Sequence, residues 1–319
     1  MHRRTLLTTA LAALPAAALA FPDRPIRWLV GYPAGGGTDV LARLIGASMS
    51  ARLGQPVVIE NRPGAATNIA AEAAARAEPD GYTVFTAGNE TLVFNPALYR
   101  NLPFNLDRDL RPLGLMARFH LVLAVKPAST ITTAQGFLDT ARAQQGQLTY
   151  GSPGVGSPHH LAMERLARDL NIRLSHVPYR GMAPVMNDLM AGTVESAIVD
   201  LAAGGEALRT GRIRPLAICS EARHATLPNV PTVTEALGLQ GFTAFAWQGL
   251  TAPARTPDPV AARLTETLAA ALAEPAVQAR MREIGLEPLT GGPAEYRALI
   301  EAERAIIWPL IRALNISLD

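Results

Sequence analysis

Two short apolar runs in this chain end at glycine-rich turns from which a helix pattern starts at once, and that arrangement leaves few fold classes open. The first run is Ile26, Trp28, Leu29 and Val30, of strand length and composition. Gly35-Gly36-Gly37 follows, then Val40, Leu41, Leu44, Ile45, Met49 and Leu53 at helical spacing, with Gly54 as the stop. The glycines allow dihedrals that residues with a Cβ avoid and let the backbone approach a ligand closely. Thr38 is expected as the helix N-cap, and Asp39 places a negative charge where the helix dipole favours it. A glycine turn ending in a helix N-terminus presents unpaired N–H groups and suits an anion. The spacing fits neither G-x-G-x-x-G nor the P-loop, so dinucleotide and nucleoside-triphosphate signatures are not met. A turn that joins strand to helix and binds nothing stays open at this point.

The alternation continues. Val57 to Glu60 reads as a strand, the loop Asn61 to Asn68 leads into an Ala-rich helix, and Tyr82 to Ala87 is a strand closed by Gly88-Asn89. Strands alternating with helices imply a parallel sheet with right-handed crossovers, whose ligands lie beyond the carboxyl ends of the strands. Asn95 to Phe104 reads as irregular. Phe119 to Val125 forms a strong apolar strand, after which the pattern restarts: a helix over Thr133 to Ala143, a strand at Leu148 to Tyr150, and a second glycine loop, Gly151 to Pro158. Ser157 as N-cap with Pro158 behind it marks the next helix start. Strands at Ser175–Val177, Val194–Val199 and Pro215–Cys219 and helices at Ala183–Ala191 and Gly205–Thr210 complete a second α/β unit. Phe242 to Leu250 is a second long apolar crossing, and three amphipathic helices close the chain. The expected organisation is therefore domain 1 over 21–123 plus 247–319, with domain 2 inserted at 124–246 and a hinge between them.

Composition narrows the setting. His2-Arg3-Arg4, an Ala-rich apolar stretch and Ala18-Leu19-Ala20 make residues 1–20 a signal peptide cleaved after Ala20, too short and Ala-rich for a membrane span. Arg3-Arg4-Thr5-Leu6-Leu7 resembles a twin-arginine signal, and the general secretory route stays open. Arg3 and Arg4 are among the 29 basic residues, so the mature chain balances at 27 against 27 acidic ones, and nothing points to nucleic acid or a membrane surface. The single cysteine, Cys219, forms no internal disulfide and reads as a core filler. A periplasmic monomer without a cofactor or a metal is expected.

With the loops placed, the sequence resembles the Bug family of periplasmic solute-binding receptors, the extracytoplasmic components of tripartite tricarboxylate transporters. The resemblance rests on Tyr32-Pro33-Ala34-Gly35-Gly36-Gly37-Thr38-Asp39, Gly54-Gln55-Pro56-Val57-Val58-Ile59-Glu60-Asn61-Arg62-Pro63-Gly64, Pro79-Asp80-Gly81-Tyr82-Thr83, Asn95-Pro96-Ala97-Leu98-Tyr99, Tyr150-Gly151-Ser152-Pro153-Gly154-Val155-Gly156-Ser157 and Val177-Pro178-Tyr179-Arg180-Gly181. It implies an α/β, two-domain Venus-flytrap fold of type II with two crossover strands. It also implies a small carboxylate ligand held by the loop after the first strand, by the loop Gly151 to Ser157 and by waters, with membrane transporter subunits as partners.

The expected ligand-binding residues are Tyr32, Ala34, Gly35, Gly36, Thr38, Asp39, Asn68, Gly88, Asn89, Ser152, Gly154, Val155, Gly156, Ser157, His160, Tyr179 and Asp200. The carboxylate is expected on backbone N–H groups of Gly35 to Asp39 and Gly154 to Ser157, and a valine at Gly36 is expected to abolish binding. Asp39 reads as a brace for its helix rather than an anion contact. Asp200 either accepts a ligand's amine or hydroxyl or caps a loop, and Tyr32 and Tyr179 either wall the ligand or pack. His159 and His160 point about 100° apart on a helix and make no metal pair. Glu90, if it faces the cleft, disfavours a second carboxylate. An exported enzyme acting through a serine or histidine, and a receptor signalling to a sensor, are the alternatives; no Ser–His–Asp arrangement can be placed from the sequence.

Overall fold

Apolar runs buried on both faces become the central strands, and the glycine loops become the turns at their carboxyl ends. The computed structural model describes residues 21–318; the expected signal segment lies outside the described residues. The chain begins with β1 (Ile26–Val30), α1 (Gly37–Leu53), β2 (Val57–Asn61), α2 (Asn68–Ala75) and β3 (Thr83–Gly88). A π-helical turn (Glu90–Phe94), α3 (Asn95–Leu98) and α4 (Leu106–Asp109) lead to the long strand β4 (Leu110–Val125). Then come α5 (Ala134–Gln144), β5 (Thr149–Ser152), α6 (Pro158–Asp169), β6 (Ser175–Pro178), α7 (Met182–Ala191), β7 (Ser196–Asp200), α8 (Leu201–Arg209), β8 (Arg214–Ile218) and α9 (Val233–Leu237). β9 (Phe245–Pro253), α10 (Asp258–Leu272), α11 (Pro275–Glu283), β10 (Leu286–Pro288) and α12 (Pro293–Leu314) complete the fold.

β1 pairs in parallel with β2 and β3, and β5 pairs in parallel with β6 and β7. Between these parallel sheets run β9 and β4, antiparallel to each other and to their neighbours, in the order β2-β1-β3-β9-β4-β7-β5-β6. β4 belongs to both sheets. Its residues up to His120 pair with β9 and β10, and Leu121 to Val125 pair with β7 and β8. Helices cover both faces of each sheet. Trp28, Ile45 and Leu264 anchor one face of the first lobe, and Phe85, Trp247 and Tyr296 the other. Phe137, Tyr150 and Met163 fill one side of the second lobe, and Val185, Leu189 and Val199 the other. Cys219 is fully buried in the second lobe, in the core of Phe137, Tyr150 and Met163.

Three local expectations change. The first crossing strand starts at Leu110 rather than Phe119, because register shifts at Pro112/Gly114 and Leu115/Ala117 absorb the residues that break its apolar pattern. The N-cap of α1 is Gly36, at φ −76° and ψ 165°, and Thr38 lies inside the first turn. The irregular stretch expected from Asn95 to Phe104 is shorter: Asn95–Leu98 is helical, with Asn95 donating to Ala66 O and Asn68 Oδ1 at the start of α2, and the chain is irregular from Tyr99 to Phe104.

Candidate functional site

The carboxyl ends of the parallel strands meet the crossing strands close together. Gly88, the last residue of β3, lies opposite Gln248, which in turn lies opposite Ala117; Asp200, the last residue of β7, lies opposite Leu121. Ala117 and Leu121 are four residues apart on β4, about 13 Å at strand rise. The two sheets therefore present their loops across a cleft one small molecule wide, floored by β4 and β9. The walls approach closely. A Cβ built on Gly37 would lie 3.1 Å from Ala202 Cβ at the start of α8 and 3.1 Å from the Phe119 ring, and one on Gly181 would lie 3.8 Å from Pro33.

On the first wall, Ala34, Gly35 and Gly36 are exposed while Thr38 and Asp39 are buried. Asp39 accepts from Gly35 N at 2.9 Å, from Arg43 at 3.0 Å and from Asn61 at 2.9 Å. Burial works against its ionisation, yet these bonds outweigh burial and hold its carboxyl below the usual range. Gly36 N points back to Pro33 O at 3.4 Å. The N–H groups of Gly37, Thr38 and Asp39 have no acceptor among the described residues. These three orphan donors at a helix N-terminus, beside exposed backbone, are where an anion fits. Gly36 has only Pro33 O, at 3.4 Å, near its Cβ position, so the steric sensitivity expected there moves to Gly37. Alongside, Ala65, Ala66 and Thr67 all hold left-handed φ (46°, 50° and 73°), and Thr67 Oγ1 meets Thr91 Oγ1 at 2.6 Å. Asn68 is buried, with its amide oxygen taken by Asn95.

The loop Gly151 to Ser157 is largely self-satisfied, which corrects the expectation that its N–H groups are free. Gly154 N donates to Ser152 Oγ at 3.3 Å, Gly156 N to His160 Nδ1 at 3.1 Å and Ser157 N to Gly154 O at 3.2 Å. Val155 N has no acceptor among the described residues, and Ser157 caps α6 by accepting from His160 N. Ser152 is fully buried, its hydroxyl 2.6 Å from His176 Nε2, and among the described residues no carboxylate bonds His176. His160 is likewise a support beneath the loop rather than a cleft residue. It stacks on His176 at 4.2 Å, which stacks on Tyr150 at 4.7 Å. Burial, then the neighbouring His176, depress His160 to about 3, and burial depresses His176 to about 4, so both rings are neutral. The Tyr179 hydroxyl is engaged by Asp188 on α7 at 2.6 Å, within its own lobe.

The cleft floor carries a buried polar chain. Gln248 donates to the Tyr32 hydroxyl at 3.4 Å, and that hydroxyl donates to Glu90 Oε2 at 2.7 Å. Burial and the Glu90 charge push the Tyr32 phenol up; burial raises the Glu90 carboxyl, while the Tyr32 bond and the charge of His159 pull it back down. Across the cleft, His159 Nε2 lies 3.2 Å from Asp200 Oδ2, and Asp200 Oδ1 caps α8 by accepting from Ala203 N. Asp200 is thus both a cap and a partner of the neighbouring helix. Gly88 packs against Gln248 of this chain, whose Oε1 would lie 2.7 Å from a Cβ there, whereas Asn89 turns away from it. A Cβ at Gly88 would strike Trp247 O at 2.2 Å, and the Asn89 amide donates to Phe245 O and Glu303. Among the described residues no group of three His, Cys, Asp or Glu is placed to hold a metal.

His159, His176 and Gln248 were not among the expected site residues. The period of α6 carries a signal for the histidine pair: His160, Met163, Ala167 and Leu170 recur at three and four, so His160 belongs to the apolar stripe and His159 beside it. Gln248 has no such signal, because only strand pairing brings it to Gly88.

Comparison with known proteins gives the family. The model of the family described as tripartite tricarboxylate transporter family receptor matches residues 41–316. A UPF0065 protein in the tcbD-tcbE intergenic region of Pseudomonas sp. strain P51 is 38% identical over 95% of this chain and 91% of its own length. Among solved structures, R. palustris Rpa4515 with adipate superposes with a TM-score of 0.89 at 34% identity, covering 93% of this chain and 99% of that one. MatC (Rpa3494) from Rhodopseudomonas palustris with bound malate gives 0.84 at 31% identity, covering 91% and 100%. The chain belongs to the tripartite tricarboxylate transporter receptor family, a family of solute-binding proteins.

Proposed function

We propose that this protein is a periplasmic receptor that captures a small carboxylate in the cleft between its lobes and presents the closed form to the membrane subunits of a tripartite transporter. The observation that carries it is the set of unpartnered N–H groups of Gly37, Thr38 and Asp39 at the α1 N-terminus, where Gly37 lies against Ala202 at the start of α8. Backbone donors at a helix terminus hold a carboxylate without an arginine. Adipate and malate in the two superposed relatives are carboxylates of the same kind. The lobes are assigned to 21–123 with 247–319 and to 124–246, moving about the crossings of β4 and β9. Tyr32, Ala34 to Gly36, Thr38, Asp39, Val155 and Asp200 line the closed site, whereas Ser152, Gly156, Ser157, His160 and Asn68 hold its loops in shape. The fully buried Ser152 hydroxyl, and a His176 that no carboxylate bonds among the described residues, support a receptor rather than a hydrolase. The protein acts as a monomer, exported by the segment removed after Ala20.

Calorimetric and thermal-shift titration of the mature protein against mono-, di- and tricarboxylates and amino acids tests this. Saturable binding of at least one, with the ligand recovered unchanged, is expected. Absence of binding across the whole panel, or turnover of a bound compound, refutes it.

A further inference from the structure

The cleft holds two sets of polar groups with opposite hydrogen-bonding character. The α1 terminus offers donors without acceptors. The floor offers the reverse. Glu90 is 6% exposed, and while its Oε2 accepts from Tyr32, its Oε1 has no hydrogen bond among the described residues. Asp200 Oδ1 caps α8 and its Oδ2 faces His159 Nε2 at 3.2 Å. His159 Nδ1 is buried and without a partner among the described residues. Gln248, 3% exposed, adds a buried and unpartnered Oε1.

Charge has the same sense. Two carboxyl groups, Glu90 and Asp200, share the floor with one imidazole, so acidic groups outnumber basic ones there. Among the described residues no lysine or arginine pairs with either carboxylate.

We propose, resting on the carboxylate-receptor function above, that the ligand of this receptor is an amino carboxylate, its carboxylate on the α1 N-terminus and its primary ammonium on Glu90 Oε1 and Gln248 Oε1, whose side chains meet at the Tyr32 hydroxyl. An ammonium brings three donors and a compensating charge to acceptors that have neither. A second carboxylate would bring charge of the same sign and no donor into a buried acidic floor, which disfavours it. A hydroxyl would satisfy one acceptor and leave the charge uncompensated.

The test uses acids sharing one four-carbon backbone, butyrate, succinate, γ-aminobutyrate and α-aminobutyrate, and the same set one carbon longer, titrated calorimetrically into the mature protein. One of the amino acids is expected to bind at least about 10-fold tighter than the dicarboxylate of equal length. Glu90→Gln, which keeps the shape and the Tyr32 contact, is expected to shrink that ratio about 10-fold. A dicarboxylate that binds as tightly as the amino acids, or a ratio that Glu90→Gln does not move, overturns the amino-carboxylate assignment and leaves the carboxylate receptor standing. Absence of binding by every acid in both sets overturns the amino-carboxylate assignment, and the wider carboxylate panel above then decides the receptor function. The wild-type ranking decides the matter even if the variant fails to fold.

Discussion

Acid should weaken this protein through one histidine in particular, and a single substitution isolates the effect. His160 is 4% exposed, stacked on His176 at 4.2 Å, and its Nδ1 accepts the Gly156 N–H. Burial first, and His176 second, depress it from 6.5 to about 3. A group whose folded pKa is depressed in this way binds its proton more readily in the unfolded chain. Stability is therefore unaffected well above 6.5, falls as the pH drops below it, and levels off near the folded value. Integrating that difference from about pH 7 to about pH 5 gives a loss of about 2 kcal/mol from this residue alone. His176 titrates in the same direction, but it is partly exposed and solvent screening reduces its share. Urea unfolding of wild type and His160→Gln at both pH values reads the effect. The variant loses packing and is less stable throughout, yet its loss between the two pH values should be smaller than that of wild type by about 2 kcal/mol. All other titrating groups are common to both proteins and cancel. Equal losses in the two proteins would show that His160 is not held neutral by the fold, and would remove the argument that it buttresses the loop as an acceptor.

Gly37→Val should impair closure, since a Cβ there already lies 3.1 Å from both Ala202 and Phe119; overpacking of about 1–3 kcal/mol converts to roughly 5- to 150-fold weaker binding of the best ligand, with an unchanged melting temperature. Gly36→Val, whose Cβ position meets only Pro33 O at 3.4 Å, should weaken calorimetric affinity less than Gly37→Val, and the reverse order would move the closest approach of the lobes elsewhere. Arg304, 8% exposed, donates to Leu92 O and to both Asp107 oxygens, so Arg304→Met should cost about 2–3 kcal/mol in denaturant unfolding by freeing the π-helical turn from α12. A loss within about 0.5 kcal/mol would mean that the turn holds without it.

The sequence by itself determined the order of strands and helices, the two glycine loops and the presence of two crossings. Each of these is written in a local pattern: a run of apolar residues such as Ile26 to Val30, a glycine where the chain must turn, a Ser157-Pro158 helix start. Local pattern also places Asp39 correctly as a brace, because its partners Gly35 and Arg43 are four residues away on either side. What the tertiary structure decided is which polar groups are already spent. Gly156 and Ser157 look as free as Gly37 in the sequence, but their N–H groups are taken by His160 and Gly154. His159 and His160 are neighbours in the chain, yet a turn of helix sends one to Asp200 and the other onto His176. Glu90, Tyr32, His159 and Gln248 come from four distant segments, and only the pairing of β3 and β7 with the crossing strands sets them around one floor. Hydrogen-bond saturation and charge are sums over neighbours in space, so they become fixed only when the sheets close on β4 and β9.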